Sequence, residues 1–211
     1  MKLVKREHAC LVVTRSDETL VIDPGSHTLP LTGLRNVVAI VITHEHADHW
    51  TPEHLDRILN LNPEAEIFAP SGVALAAKDH EVTVIAHGDV KHIGAFNLQF
   101  FGEKHAIIHE TVPGIDNVGV LVNDVLWYGG DSYTVPPVPV DIAAVPIGAP
   151  WLKIGDAMDY AAALAPKRAF PTHDMTLSVI GKGLANARIK AITESGGGQY
   201  FELESGDELD L

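Results

Sequence analysis

The chain has 211 residues, 46% of them hydrophobic and 20% charged, enough to bury one core without disulfides or a structural metal. Fifteen Lys and Arg face 28 Asp and Glu, a formal net charge of −13, which disfavours a nucleic-acid partner gripped through its phosphates. The single cysteine, Cys10, excludes an internal disulfide and fits a reducing, cytoplasmic setting. Charges break the N-terminal apolar runs too often for a signal peptide, and the aliphatic run 37–42 is far short of the roughly 20 residues that span a bilayer.

In chain order, strands are predicted over 9–14 and 19–22, closed by the turn Asp23-Pro24-Gly25. Residues 37–43 (VVAIVIT) form a continuous β-branched run, the pattern of a strand buried on both faces. Thr51-Pro52 reads as an N-cap followed by proline at the first helical position, opening a helix to about Leu59. A short helix is predicted over 72–78, and strands over 82–86, 90–93, 96–101, 117–122 and 125–128. Pro136, Pro137 and Pro139 make 133–141 a stiff loop. A strand follows in DIAAVPI, then a helix over 156–164, a strand near 168–170, a helix over 182–195 capped at Gly196, and a strand over 199–203. The acidic ending ELESGDELDL reads as a solvated terminus. Two groups of strands, each followed by helices, predict a four-layer αββα sandwich of two mixed β-sheets flanked by helices, folded as one domain over 1–211.

Residues 43–50 read THEHADHW, with His44, His46, Asp48 and His49 inside six positions. On a helix, residues two apart diverge by about 200°, whereas in an extended or looped segment 44, 46 and 48 project to one side. The cluster therefore belongs to a loop leaving the carboxyl end of the 37–43 strand, unlike the helical zinc motif with histidines four apart. His105, Asp131 and His173 likewise follow predicted strands, Asp131 after the turn Gly129-Gly130. All seven ligand-type side chains thus fall at strand carboxyl ends, where α/β sheets build their sites. Seven exceed the four of a closed tetrahedral zinc, and structural zinc would ask for thiolates. With one shared carboxylate they suit two metals about 3.5–4 Å apart holding a hydroxide, a hydrolytic arrangement.

The HxHxDH pattern after a buried strand, a later His, then GD and a further His resembles the metallo-β-lactamase superfamily, over most of the chain from the turn at 23–25 to His173. The resemblance implies that His44, His46 and His105 bind one metal, that Asp48, His49 and His173 bind the other, and that Asp131 bridges them. His105 is preferred to nearby His109 because it directly follows the strand. EHACLVV, GGDS, VPIGAPW and PTHD resemble the compact group that includes ascorbate-6-phosphate lactonase.

The resemblance implies a metal-dependent hydrolase acting on a small ester, lactone or phosphoester, and the net charge of −13 excludes large polyanions better than small anionic substrates. Two divalent ions are expected, zinc first, with Mn or Fe open because His and carboxylate ligands do not dictate the ion. Asp48 or His173 would pass a proton to the leaving group. The alternative is an iron-dependent oxidoreductase using one metal. Asp23 is expected to brace the metal loop, Trp151 to pack in the core or wall the pocket, and Lys153 to be a surface charge or an anion contact. His8, His27, His54, His80, His87 and His92 read as surface or core histidines, with His8 set apart because a similar His opens the first strand of the lactonase-like group. No membrane association is expected. Substrate identity and oligomeric state are unreadable from the sequence, with a homo-oligomer left open.

Overall fold

A computed structural model describes residues 1–211. The strands are β1 (Lys2–Lys5), β2 (Leu11–Arg15), β3 (Glu18–Ile22), β4 (Val37–Val41), β5 (Glu66–Ala69), β6 (Val82–Val84) and β7 (Val90–Ile93). They continue as β8 (Phe96–Phe101), β9 (Gly119–Val122), β10 (Leu126–Tyr128), β11 (Ile142–Pro146), β12 (Arg168–Thr172), β13 (Gln199–Tyr200) and β14 (Glu208–Asp210). The helices are α1 (Pro52–Leu59), α2 (Ser71–Ala76), α3 (Ile154–Leu164) and α4 (Val179–Ser195).

Two seven-stranded sheets result, ordered β14-β1-β2-β3-β4-β5-β6 and β13-β12-β11-β10-β9-β8-β7. Both are mixed. In the first, β14 through β3 pair antiparallel and β3 through β6 parallel; in the second, β7 through β10 pair antiparallel and β10 through β13 parallel.

Alternation along β4 shows why its sequence is apolar throughout. Ala39 and Val41 join the core between the sheets, with Leu98, Val120, Tyr128 and Phe170. Ile40 and Ile42 face the other way, against Leu55 and Ile58 of α1 and Val73 of α2. On the far side, Trp127, Ala143 and Val145 pack against Ala157 and Ala161 of α3 and Ile189 of α4. The layers are therefore α/β/β/α, as the strand and helix pattern predicts. The Thr51 side chain accepts from the His54 amide with proline at the first helical position, and Gly196 ends α4. No helix is long and apolar enough to cross a membrane.

Several elements differ from expectation. The ending is no solvated tail: β14 pairs antiparallel with β1, and Leu209 is buried opposite Leu3. Strands β1 and β5 carry no clear alternation and go unpredicted. Helix α4 starts at Val179, because Ser178 accepts from Gly181 N as an N-cap. Strand β12 runs on through Pro171 and Thr172, and β13 spans two residues rather than five.

Candidate metal centre

The cluster sits where β4, β8, β10 and β12 end. His44, His46, Asp48 and His49 follow β4 in a loop seated on the 23–25 turn; a Cβ on Gly25 would lie 1.8 Å from the Asp48 carbonyl oxygen, so only glycine allows that contact. Gly130 has φ +62°, and a Cβ there would meet Thr43 and Asn117. The Asp131 amide donates to Asn117 Oδ1 (3.0 Å), and Asn117 Nδ2 donates to the Gly129 carbonyl (2.8 Å), which pins the Asp131 turn.

The potential ligand atoms of His44, His46, His105 and Asp131 all lie within 4.8 Å of one another, as do those of Asp48, His49 and His173. Asp131 faces both sets. Its Oδ2 is 3.4 Å from His105 Nε2 and 3.1 Å from His173 Nε2, and its Oδ1 is 3.1 Å from His49 Nε2. Asp48 Oδ2 is 3.4 Å from His173 Nε2.

A common wiring runs through four of these histidines once ring protonation is assigned from the partners. Nδ1–H of His49 donates to Asp23 Oδ2 (2.6 Å) and that of His173 to the Gly148 carbonyl (2.6 Å). His105 Nδ1–H donates to the Ala106 carbonyl. Thr43 Oγ1 gives its proton to Asp23 Oδ2 (2.7 Å), so at His44 Nδ1 (3.1 Å) it accepts. Each of these rings therefore turns its Nε2 inward, where His49 and His173 can carry a second proton in place of a cation.

Nε2 of His49, His105 and His173 and Oδ1 of Asp131 are buried with no hydrogen-bond partner. His44 Nε2 and His46 Nδ1 face each other at 3.1 Å. Buried acceptors without donors cost free energy unless something positive satisfies them, so this donor set fits bound cations.

The charges agree. Burial pushes the Asp131 carboxyl up, but His49 and His173 outweigh it and hold the group well below the carboxylate range. Burial also disfavours charge on His173, yet Asp131 and Asp48 raise it to about 9. His49 is raised well above its ordinary value, against burial, by Asp131 and Asp23. The carboxylates thus demand compensating positive charge, which ring protons or bound cations can supply.

Of the predicted residues, His44, His46, Asp48, His49, His105, Asp131 and His173 come together. Asp23 is fully buried and accepts from Thr43 N (2.8 Å), Thr43 Oγ1 and His49. Trp151 Nε1 donates to Asp131 Oδ2 (2.8 Å), a direct contact beyond the expected packing role. His109 does not join the cluster; it is exposed and its Nδ1 pairs with Thr111. Lys153 also stays away: its side chain is 79% exposed and pairs with Asp156 one helical turn on.

His8, the histidine set apart from the surface or core group, contacts Asp48, with His27 edge-on to its ring. Asn117 and Thr43 were not anticipated. Only Thr43, beside the HxHxDH run, carried any local signal.

A family model described as a beta-lactamase superfamily domain matches residues 2–173. Protein Rv0786c of Mycobacterium tuberculosis is 34% identical over 198 residues, covering 92% of this chain and 93% of its own length. A structure from Parabacteroides distasonis, described as a candidate metal-dependent hydrolase, superposes with TM-score 0.80 at 19% identity, over 96% of this chain and 92% of that one. CmlA, a diiron β-hydroxylase from Streptomyces venezuelae, superposes with TM-score 0.73 at 16% identity, over all of this chain and 54% of that one. At such identities these structures show the shared fold.

Proposed function

The chain belongs to the metallo-β-lactamase superfamily, and we propose that it is a binuclear metal-dependent hydrolase of a small ester, lactone or phosphoester, with residues 1–211 acting as one domain. The observation that carries this reading is the set of inward Nε2 atoms, those of His49, His105 and His173 buried without a hydrogen-bond partner, converging with Asp131. In this reading His44, His46 and His105 hold one divalent ion, Asp48, His49 and His173 hold a second, and Asp131 lies between them. Zinc is the first choice of ion; Mn and Fe suit the same donors.

When bound, the ions supply a water of lowered pKa as nucleophile and positive charge for a developing oxyanion. The chain's own groups do the rest. Asp23 keeps the His49 proton on Nδ1, and Gly148 does the same for His173, so both rings present a lone pair inward. The Trp151 indole N–H fixes one oxygen of Asp131 while its ring lies beside His105, His173 and Tyr133, closing that side of the site to water.

Among the cluster's carboxylates, Asp48 has 24% of its side chain exposed against 3% for Asp131, and His173 and His8 keep it ionised against its burial, so it is placed to take up a proton and pass it to the leaving group. Two divalent ions would bring +4 against the carboxylates of Asp23, Asp48 and Asp131, leaving the site close to +1, so an acidic protein would still accept a modestly anionic substrate.

Seven donors exceed the need of one ion, which disfavours the single-iron oxidoreductase reading. Metal analysis of protein purified without added zinc, coupled to a panel of lactones, thioesters and phosphodiesters, tests the proposal. About two zinc ions per chain with turnover supports it, and one redox-active iron overturns it. Replacing both His44 and His46 by alanine should remove the ion they hold and abolish turnover; full activity in the variant that has lost that ion would refute the mechanism.

A further inference from the structure

We propose that His8, a residue outside the metal-ligand set, is a positioning residue for that set: its ring Nε2–H orients the Asp48 carboxylate while its main chain fixes His173. The inference rests on the two-ion reading above. It starts from an inversion in wiring. The rings of His44, His49, His105 and His173 each commit Nδ1 outward and turn Nε2 inward. His8 does the reverse. Its Nδ1 accepts a hydrogen bond from the Met175 amide (3.3 Å), a group that can only donate. The ring proton must then sit on Nε2, which lies 3.1 Å from Asp48 Oδ2 and donates to it.

Three further observations place His8 as a clamp. Its side chain is fully buried, unlike an incidental surface histidine. Its carbonyl accepts from the His173 amide (2.8 Å), and the two rings lie 3.8 Å apart. Both residues hold left-handed backbone, φ +60° for His8 and +58° for His173, which non-glycine residues rarely adopt without compensating contacts. One residue of the β1–β2 connection thus fixes two proposed ligands of the second ion, one by its ring and one by its backbone.

The same wiring argues against another use of these groups. His8, His27 and Asp48 are close enough together to hold a further cation. For His8 Nε2 to ligate, the proton would have to move to Nδ1, where it would oppose the Met175 N–H. The ring is committed as a donor, and Asp48 is its acceptor.

The test compares His8→Phe, which keeps the ring and removes the donor, with His8→Gln, whose amide can reach Asp48 again. Both bear a left-handed backbone cost and both lose the imidazole Nδ1 that accepts from the Met175 amide, so their difference reports the contact with Asp48. Zn²⁺ is titrated into metal-stripped protein against a chromophoric chelator, and thermal melts of the stripped proteins check folding. Wild type should bind two ions. In His8→Phe the first should bind as in wild type and the second about 10- to 100-fold more weakly, the usual effect of losing an outer hydrogen bond to a ligand. His8→Gln should recover most of the loss.

Two tightly bound ions in His8→Phe would overturn the inference alone, as would a third bound Zn²⁺ that disappears on His27→Ala. Fewer than two ions in wild type would overturn the two-ion reading and this inference with it. Should His8→Phe fail to fold, ¹⁵N NMR of the wild-type His8 ring decides the matter: a proton on Nε2 supports the proposal and a proton on Nδ1 overturns it.

Discussion

Asp23→Asn offers a direct test of how the fold presents His49. Asp23 is fully buried and accepts from Thr43 N at Oδ1 (2.8 Å) and from Thr43 Oγ1 (2.7 Å) and His49 Nδ1 (2.6 Å) at Oδ2. Asparagine matches its shape, tolerates φ +48° and still offers one oxygen to the Thr43 amide. Alanine would instead leave a cavity and an unpaired hydroxyl. In Asn the amide group replaces Oδ2 and cannot accept, so the His49 proton is driven from Nδ1 to the inward Nε2.

Two hydrogen bonds to a charged acceptor disappear, each contributing about 1.5–3 kcal/mol, and because they share one oxygen they do not add fully. For the ion on His49, loss of such an outer partner corresponds to about 10- to 100-fold in affinity, or roughly 1.4–2.7 kcal/mol. Zn²⁺ titration of stripped protein should show one site weakened by that factor and the other close to wild type. An Asn variant that binds both ions with wild-type affinity would refute the argument that Asp23 sets the His49 proton.

Two predictions concern stability. Lys5 is buried with its Nζ 3.1 Å from Asp174 Oδ2, and Lys182 lies 3.0 Å from the same oxygen. Lys5→Met should destabilise metal-stripped protein by about 3 kcal/mol, the low end for breaking a buried pair because Lys182 remains. Burial pushes the Asp174 carboxyl up, but Lys5 and Lys182 outweigh it and hold it below its ordinary value. A depressed folded pKa gives stability that is present above the unfolded pKa, about 3.9, and lost as pH falls through the folded one. The melting-temperature gap between wild type and Lys5→Met should therefore narrow on acidification below about pH 4, and a gap that widens would refute the pairing. Leu209→Ala should cost about 2–3 kcal/mol, or roughly 4–12 °C in Tm, because β14 is a packed strand; an unchanged melt would restore the reading of a solvated tail.

Most of the cluster was legible because its signal is local. Four ligand-type residues in six positions, after a run buried on both faces, declare a strand and the loop at its end. His105, Asp131 and His173 were readable by the same rule of position. What the sequence hid was pairing at a distance. β14 lies in a strongly acidic segment, and Leu203 and Leu209 give no period long enough to read; only its register against β1 makes it a strand. Asn117 is 14 residues from Asp131, and His8 is 40 from Asp48, separations at which no pattern predicts contact. Trp151 was readable as pocket or core, but its indole's choice of Asp131 depends on where the β11–α3 loop closes.

Backbone strain links these hidden contacts to the site. Left-handed non-glycine residues in hairpin turns, such as Ser16-Asp17 and Asn123-Asp124, are ordinary because the turn requires them. Asp23 and His173 are left-handed without lying between paired antiparallel strands, and His8 is left-handed inside the five-residue β1–β2 connection. Glycine would relieve roughly 1–2 kcal/mol of strain at each. It would also remove the ring donating to Asp48, the carboxylate holding Thr43 and His49, or an inward Nε2. Each strained residue is instead held by bonds that cross the cluster: the His173 amide on the His8 carbonyl, and the Thr43 amide on Asp23. The sharp reversal at a strand end is what turns a side chain back over the sheet edge. Of the seven donors His173 alone is left-handed, and there the strain and the inward turn of the ring have one geometric cause.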